Sequence, residues 1–255
     1  MKLNVCTFWM VALALPLGLH AEEKPGSSSF RCDLPKPVLR VPSVEGCSDR
    51  VVWNEQLDSI RKTDPAKFES MVAEQVTRDT NFGATRIPLG KGRFKEIYRS
   101  SFTHKSPGCL EKLVKDRKVT SIINLYSGEI ENNVQMTREE SSLFQKFGGK
   151  QYLRVLNYDY RMPDTEAQET IYQKVREAIS LVKQAPDNVL MHCYGGQHRT
   201  GIVFAVIQKC LNRVPIEEVI REYRCHTAWE SAEKPGGAKP ENEKAIREFP
   251  CSSLR

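Results

Sequence analysis

The sequence predicts an α/β protein: a central, mostly parallel sheet flanked by helices, with a cysteine-containing loop between a strand and a buried helix. Short apolar runs at residues 119–125 and 189–191 have the length and β-branched character of buried strands. The apolar residues between 171 and 182 recur at helical spacing instead. Strands that alternate with helices pair in parallel, because each helix carries the chain back to the same end of the sheet.

The N-terminal part precedes this pattern and has a different composition. Residues 1–21 carry one lysine and an apolar run too short to span a bilayer, which is typical of a secretory signal peptide cleaved after Ala21. An uncleaved membrane anchor is the alternative. Residues 22–60 are predicted to form a flexible leader and an irregular strap, and residues 61–255 the folded domain. We therefore expect an exported protein, periplasmic or secreted, with no stable membrane anchor after cleavage.

Capping signals predict where the first helices begin and end. Asp64 followed by Pro65 predicts a helix start, since Asp accepts backbone N–H bonds and Pro is tolerated in the first turn. A second helix around Leu110 ends in the basic run 115–118. The spacing of Thr137 and Glu140 has the form of a capping box and predicts a helix that begins there and is closed by a glycine at 148.

The second half of the chain continues the alternation of strand and helix. A strand is predicted near residues 152–156, followed by the long helix over 171–182 and the strand at 189–191. Residues 202–211 are apolar on nearly all sides, which predicts a helix in the centre of the domain. A last helix follows Pro215.

The composition indicates one ordinary globular domain. The chain has 255 residues, of which 40% are hydrophobic and 27% charged, and this is enough for one sizeable core. The formal net charge of +6 is not concentrated in a dense block of Lys and Arg, so no nucleic-acid partner is predicted.

Eight cysteines point to disulfide bonds in an oxidising compartment. Cys6 lies in the predicted signal peptide, and Cys193 has a chemical role described below. Among the remaining six we expect Cys32 to pair with Cys47, tying down the N-terminal strap. Cys210 lies in a very apolar helix and is expected to be a buried free thiol.

Residues 192–201 form the chemically distinctive segment, reading His-Cys-Tyr-Gly-Gly-Gln-His-Arg-Thr-Gly. Gly195 and Gly196 allow backbone angles that turn successive N–H groups inward around an anion. The helix that follows adds the positive end of its dipole, and Arg199 offers a planar fork of donors for two phosphoryl oxygens. The segment is therefore predicted to cradle a phosphate group through Tyr194, Gly195, Gly196, Gln197, His198 and Arg199.

The same surroundings suit Cys193 as a nucleophile. A helix N-terminus and a nearby guanidinium favour the thiolate form of a cysteine, and a thiolate at the floor of a phosphate cradle is aimed at phosphorus. We expect Thr200 to donate a hydrogen bond to the sulfur and His192 to support the loop from behind. A zinc site through His192, Cys193 and His198 is the weaker alternative, because no paired Cys/His spacing accompanies them.

This ten-residue string resembles the signature of the cysteine-dependent phosphatases, the protein tyrosine phosphatase superfamily. The resemblance implies a phosphocysteine intermediate on Cys193, phosphate binding by Arg199, and no need for a metal or another cofactor. It also implies a phosphorylated partner, either a small molecule or a phosphoprotein.

The resemblance further implies an aspartate, upstream of the cysteine, that protonates the leaving oxygen. Asp159 and Asp164 are the candidates. We favour Asp159, because Asp164 directly precedes a helix and can be explained as its N-cap. The segment from Tyr152 to Glu166 also resembles the acid loop of the tyrosine-phosphatase-like inositol polyphosphatases, the cysteine phytases, and His198 before Arg199 resembles atypical dual-specificity phosphatases. Inositol phosphates are therefore the leading substrate class, with phosphotyrosine next.

Two departures and two rival functions qualify this interpretation. Tyr194 stands where cysteine phytases usually have an acidic residue, and the loop has no lysine of the kind that lipid phosphatases use. A basic rim that grips further phosphates is conceivable from Lys91, Arg93, Lys95 and Arg99. The rivals are a non-hydrolytic module that binds phosphorylated ligands and a rhodanese-like sulfur transferase. The Arg-Thr-Gly ending and the aspartate segment argue against the transferase.

Overall fold

A computed structural model describes residues 44–47, 60, 63–67, 80–126, 131–158, 165–227 and 239–254. The predicted signal peptide lies outside these ranges and stays a prediction. Of the predicted leader and strap, only residues 44–47 and 60 are described. Within the described part, no helix is long and apolar enough to cross a membrane.

The described strands form one five-stranded sheet in the order β1-β2-β5-β3-β4. The strands are β1 (Gly83–Gly90), β2 (Arg93–Ser100), β3 (Val119–Asn124), β4 (Gln151–Arg154) and β5 (Asn188–His192). β1 pairs with β2 in antiparallel fashion, whereas β2 with β5, β5 with β3, and β3 with β4 are parallel pairs. The predicted mostly parallel sheet is confirmed.

Helices cover both faces of this sheet. Those bounded within the described residues are α1 (Pro107–Lys115), α2 (Glu131–Lys146), α3 (Thr165–Gln184), α4 (His198–Cys210), α5 (Ile216–Cys225) and α6 (Pro240–Glu248), with short 3-10 helices at Thr103–Lys105 and Cys251–Leu254. The core is divided by the sheet. One cluster joins the sheet to α3, α4, α5 and α6, and a second joins it to α1 and α2. Alternate residues of β2 show the division, since Ile97 packs in the first cluster and Tyr98 in the second.

Two predictions about individual elements were wrong. The first predicted strand is the apolar run at 119–125, so β1 and β2 were missed, because this polar hairpin lacks a continuous apolar run. Thr137 and Glu140 do not form a capping box, since α2 begins at Glu131 and both residues lie inside it. The predicted helix start at Asp64 is confirmed, because the Lys67 N–H donates to Asp64 Oδ1 at 3.0 Å. The predicted closing residue Gly148 follows α2 and adopts a left-handed φ of 103°.

Both expectations about cysteine pairing were also wrong. Cys47 is bonded to Cys109 in α1 rather than to Cys32, which lies outside the described residues. Cys210 is not a free thiol but is bonded to Cys251. The apolar sequence around Cys210 does not reveal its partner, because the C-terminal 3-10 helix, which contains Cys251, packs against α4 only in the folded protein. Among the described cysteines, Cys193 and Cys225 are buried and belong to neither disulfide.

Candidate active site

The cysteine loop lies where three strands of the sheet end together. β5 ends at His192, α4 begins at His198, and the loop connects them. Ser100 at the end of β2 and Asn124 at the end of β3 both pair with His192. In parallel sheets, ligand sites form at this carboxyl edge, because the loops that follow the strands converge there.

The sharp turn of the loop depends on one of its two central glycines. Gly196 has a φ of 66°, and a Cβ atom there would lie 2.4 Å from the Ser100 carbonyl oxygen. No other residue fits this close approach to backbone. At Gly195 the nearest atoms to an added Cβ belong to the Gln197 side chain, at 3.4 Å, which is ordinary contact.

Two buried side chains hold the backbone of these glycines. Arg99 Nη2 donates to the Gly196 carbonyl at 2.6 Å, and Asn81 Nδ2 donates to the Gly195 carbonyl at 2.9 Å. Asn81 is held in turn by the carbonyl and ring of His226. In a planar trans peptide the N–H points opposite to the C=O. Carbonyls drawn back in this way direct the following N–H groups toward the opposite side, where an anion can bind.

Arg99 is a buried cation on the α4 side of the sheet. Burial lowers the pKa of its guanidinium to about 10, with Glu222 and Cys193 among the groups that act in the opposite direction. The guanidinium lies 5.2 Å from the centre of the Phe204 ring. Burial also raises the pKa of Glu222, an effect that the charge of Arg99 opposes.

On the other face of the sheet, a buried carboxylate lies behind the nucleophile. Glu140 Oε1 accepts from the Thr103 N–H at 2.6 Å and from Thr103 Oγ1 at 2.7 Å. Glu140 Oε2 accepts from the Tyr152 hydroxyl at 2.6 Å and lies 2.7 Å from His192 Nε2. Burial by itself raises the pKa of Glu140, but the charge of His192 and these hydrogen bonds outweigh it, so the pKa is lowered.

The residues predicted to be the nucleophile and the phosphate clamp, Cys193 and Arg199, lie at the two ends of the loop. Cys193 is 5% exposed, and Arg199, in the first turn of α4, is half-buried. Arg199 Nε donates to the Tyr158 carbonyl at 2.6 Å. Its guanidinium lies over the Tyr126 ring at 5.2 Å. A cation in this position is attracted to the ring and restricted in orientation.

The open side of the cysteine loop, called the mouth below, carries aromatic side chains in its described part. Tyr194 is 47% exposed, and its ring centre lies 5.7 Å from that of Tyr126. Leu156, just before the predicted acid segment, is 51% exposed. An apolar and aromatic rim of this kind contacts rings and alkyl groups more readily than additional phosphates.

The other predicted loop residues have less direct roles. The His198 side chain is buried, with Nδ1 3.3 Å from both the Tyr223 hydroxyl and Asn242 Nδ2, so only its backbone faces the loop. Gln197 is buried and accepts the Gly201 N–H through its carbonyl. The Thr200 hydroxyl is buried and makes no hydrogen bond within the described residues. Because Cys193 is one of the described residues, the expected bond from Thr200 to the sulfur is wrong for this structure.

The basic rim is contradicted by the structure. Lys95 is buried and donates to the carbonyls of Val182, Lys183 and Ala185 near the end of α3. Arg99 is buried behind the loop. Lys91 and Arg93 lie at the hairpin turn, roughly 23 Å from the end of β2 at the site.

The predicted acids Asp159 and Asp164 lie outside the described residues, as does the segment between them. Asp159 is nevertheless the next residue in the chain after Tyr158, whose carbonyl binds Arg199. Sequence reasoning missed the contributions of Glu140, Asn81 and Tyr126. No sequence signal distinguishes Glu140 from the other acidic residues of its polar helix. Among the described residues, no group of three or more His, Cys, Asp or Glu side chains is arranged to hold a metal ion.

A strand, a cysteine loop with two central glycines and a helix with an arginine in its first turn are the elements expected of a cysteine-dependent phosphatase. The chain belongs to the tyrosine phosphatase family, whose sequence model matches residues 90–249, more than half of its length. No curated protein sequence matches it.

Solved structures resemble the chain at low identity. The catalytic core of Siw14 is 21% identical, with a TM-score of 0.46 over 62% of this chain and 82% of that chain. TpbA of P. aeruginosa is 15% identical, with a TM-score of 0.42 over 62% and 83%. PTPMT1 is 18% identical, with a TM-score of 0.41 over 62% and 90%.

Proposed function

We propose that this phosphatase hydrolyses phosphate monoesters through a phosphocysteine on Cys193, and that inositol phosphates are its substrates. The observation that carries the mechanism is the pairing of Cys193, at the floor of the loop, with Arg199 at its rim. The glycine carbonyls between them are tied back, so the loop is organised for an anion before substrate arrives. Such preorganisation stabilises the transition state of phosphoryl transfer.

Two displacements at phosphorus complete the reaction. The Cys193 thiolate forms a P–S bond while the bond from phosphorus to the leaving oxygen breaks, and Asp159 gives that oxygen its proton. The carboxylate of Asp159 then removes a proton from water, whose oxygen attacks phosphorus and releases the thiolate. Arg199 binds two phosphoryl oxygens in both steps. Its bond to the Tyr158 carbonyl ties the clamp to the start of the acid segment.

Support for inositol phosphates comes from the acid segment, which resembles that of the cysteine phytases. The aromatic mouth favours a second candidate, phosphotyrosine. Tyr194 and Tyr126 offer ring surface beside the clamp. The lysines and arginines considered for a basic rim, Lys91, Arg93, Lys95 and Arg99, are buried or remote from the loop. Structures of two similar proteins, TpbA with pTyr and PTPMT1 with PI(5)P, contain one ligand of each chemical class.

Phosphate release from inositol hexakisphosphate and from a phosphotyrosine peptide discriminates the candidates. We expect kcat/KM to favour the inositol substrate by at least about tenfold, and the Cys193→Ser protein to release no phosphate from either. A preference for the peptide would transfer the assignment to phosphotyrosine. Binding of phosphate without release by the wild type would instead support a non-hydrolytic module. If the preference for one substrate over the other disappears in Tyr194→Ala, the aromatic mouth determines which substrate is selected.

We also propose that the protein is exported. The predicted signal peptide at residues 1–21 supports export. The two disulfides, Cys47–Cys109 and Cys210–Cys251, support location of the protein in an oxidising compartment. N-terminal sequencing of protein from the periplasm or medium should begin at Glu22. Full-length protein retained with Met1 in the reducing cytoplasm would contradict this proposal.

A further inference from the structure

The hairpin of β1 and β2 projects beyond the rest of the sheet, at the edge opposite the cysteine loop. The Glu96 N–H donates to the side chain of Asn188, the first residue of β5, so the part of β2 before Glu96 extends past the beginning of β5. At the rise of a β-strand, Arg93 lies roughly 10 Å beyond that point. β1 is an outer strand of the sheet, so no further strand covers the hairpin on its other side.

The tip of this hairpin, residues 88–94, ends in a short and preformed turn. Lys91 and Gly92 have φ angles of 52° and 72°, and positive values at both central residues are typical of a type I′ turn. Such a turn joins paired strands without a flexible loop. The tip therefore has little conformational freedom to lose when it contacts a partner.

Two large apolar side chains are exposed at this tip. Leu89 is 44% exposed and Phe94 is 49% exposed. Phe94 pairs with Pro88, so these two side chains share one face of the hairpin, and Leu89, the next residue of β1, lies on the other face. The apolar surface therefore surrounds the tip and does not form one flat patch of the kind that a protein partner covers.

Exposed cations lie along the same edge of the sheet. Lys91 and Arg93 belong to the hairpin itself, Lys118 precedes β3, and Lys150 precedes β4. The Lys150 N–H donates to the carbonyl of Thr120 at 3.0 Å, which places the beginnings of β3 and β4 side by side. All four cations are exposed, so they give this edge a positive charge.

The acids of this edge do not cancel that charge. The connections that lead into β2, β3, β4 and β5 contain two acids, Asp116 and Asp187. Asp116 already pairs with Lys112, and the charge of Asp187 acts on the buried Lys95. Helix dipoles favour cations in the connections that follow helices, but the cations of the hairpin follow no helix and need another explanation.

We propose that the hairpin tip and the cations beside it form a docking surface for an anionic lipid bilayer. Leu89 and Phe94 enter the interfacial region of the bilayer, where their apolar surface leaves water. The long side chains of Lys91 and Arg93 extend to the lipid phosphates. A fluid interface surrounds an inserted tip on all sides, which suits apolar groups on both of its faces. Two apolar side chains bind reversibly and do not anchor the protein.

Docking through this tip leaves the cysteine loop accessible from water. The loop lies at the opposite ends of the same strands, and Arg93 is roughly 23 Å from the end of β2 at the site. The docked protein therefore presents its mouth away from the bilayer. The inference concerns where the protein acts, and it holds for any soluble phosphate ester substrate.

Co-sedimentation with vesicles tests the proposal. We expect the wild type to bind vesicles of phosphatidylglycerol and phosphatidylcholine at least about tenfold more tightly than vesicles of phosphatidylcholine alone. The double variant Leu89→Ser/Phe94→Ser should weaken binding to the anionic vesicles by about tenfold, and Lys91→Glu/Arg93→Glu by at least as much. Both double variants should keep the wild-type kcat/KM for p-nitrophenyl phosphate, because the tip is remote from the loop.

Val134→Ser and Arg138→Glu are the matched controls. Both residues are exposed and lie in the first turns of α2, which begins near the loop edge of the sheet. They should bind anionic vesicles as the wild type does. A wild type that does not bind these vesicles, or equal losses in the controls, would overturn the proposal. Binding that depends on Lys91 and Arg93 but not on Leu89 and Phe94 would also contradict it, since that pattern indicates attraction to any polyanion.

A local measurement separates the hairpin tip from the N-terminal apolar run at residues 1–21, which all variants share. Amide hydrogen exchange at residues 88–94 of the wild type should slow when anionic vesicles are added. Vesicle binding without protection of this segment would assign the binding to another part of the chain and refute the proposal. Neither sedimentation nor hydrogen exchange needs a substrate, so a wrong substrate assignment would leave both results interpretable.

Discussion

Two buried charges support the cysteine loop from opposite faces of the sheet, and they do so in different ways. Glu140 lies on the α1/α2 face and contacts His192, at the strand end of the loop. Arg99 lies on the α4 face and binds the Gly196 carbonyl, at its turn. Glu140 is a carboxylate that contacts the residue before Cys193, whereas Arg99 is a cation that binds the backbone of the loop.

The two charges also differ in how completely they are satisfied. Glu140 has donors at both oxygens, and its pKa falls despite burial. Arg99 uses Nη2 for one carbonyl, while its Nε has no hydrogen-bond partner within the described residues, and burial lowers its pKa to about 10. The satisfied charge joins Thr103 to Tyr152 behind the loop. The incompletely satisfied charge serves mainly to shape the backbone.

Gly196→Ala disrupts the turn of the loop that Arg99 supports, and it should have the largest effect on kcat/KM. The new methyl group would meet the Ser100 carbonyl at 2.4 Å, and φ is in the left-handed region, so the loop must move. Misdirected N–H donors should lower kcat/KM by about 10³-fold. The measurement is steady-state phosphate release from p-nitrophenyl phosphate, with folding checked by circular dichroism.

Gly195→Ala is the control for that substitution. Its added methyl group meets only the Gln197 side chain at 3.4 Å, so it should keep activity within about tenfold of the wild type. Equal losses in the two variants would mean that the close approach to Ser100 does not determine the shape of the loop.

Arg99→Met should have the next largest effect on kcat/KM. It separates a role of Arg99 in shaping the loop from a role in stabilising the fold. Methionine removes both the anchor of Gly196 and a desolvated charge, so kcat/KM should fall about 10²-fold while the melting temperature changes little. Arg99→Lys keeps a cation without the planar fork, so its kcat/KM should lie between that of the wild type and that of Arg99→Met. If Arg99→Met lost stability but kept its activity, the guanidinium would be structural support for the core rather than for the loop.

The smallest expected effect is a change in acid stability in Glu140→Gln, which tests the other of the two buried charges. The folded pKa of Glu140 lies below its ordinary value of 4.5. Its contribution to stability is therefore complete above that pH and is lost as the pH falls through the folded value. Urea midpoints below pH 4.5 should fall more steeply in the wild type than in Glu140→Gln. Parallel curves would show that the Glu140 carboxylate does not gain stability from its partners.

Much of the fold could be predicted because its signals are local. The strands β3 and β5, the long helix α3 and the central helix α4 each carry an apolar period within one segment. The hairpin β1–β2 was missed, because its residues are polar and their strand structure depends on pairing with each other. The disulfides were also missed, since six cysteines allow many pairings and only packing decides which of them meet.

The sequence by itself determined the reactive centre, since Cys193 and Arg199 belong to one contiguous strand-loop-helix segment whose geometry follows from local backbone rules. Only the tertiary structure decided what stands behind it. Arg99 reaches Gly196 across 97 residues of chain, and Asn81 reaches Gly195 across 114. The same packing buried Arg99 and Lys95, which sequence reasoning had placed on the rim. A side chain's charge is visible in the sequence, but its surroundings depend on which distant elements the sheet brings together.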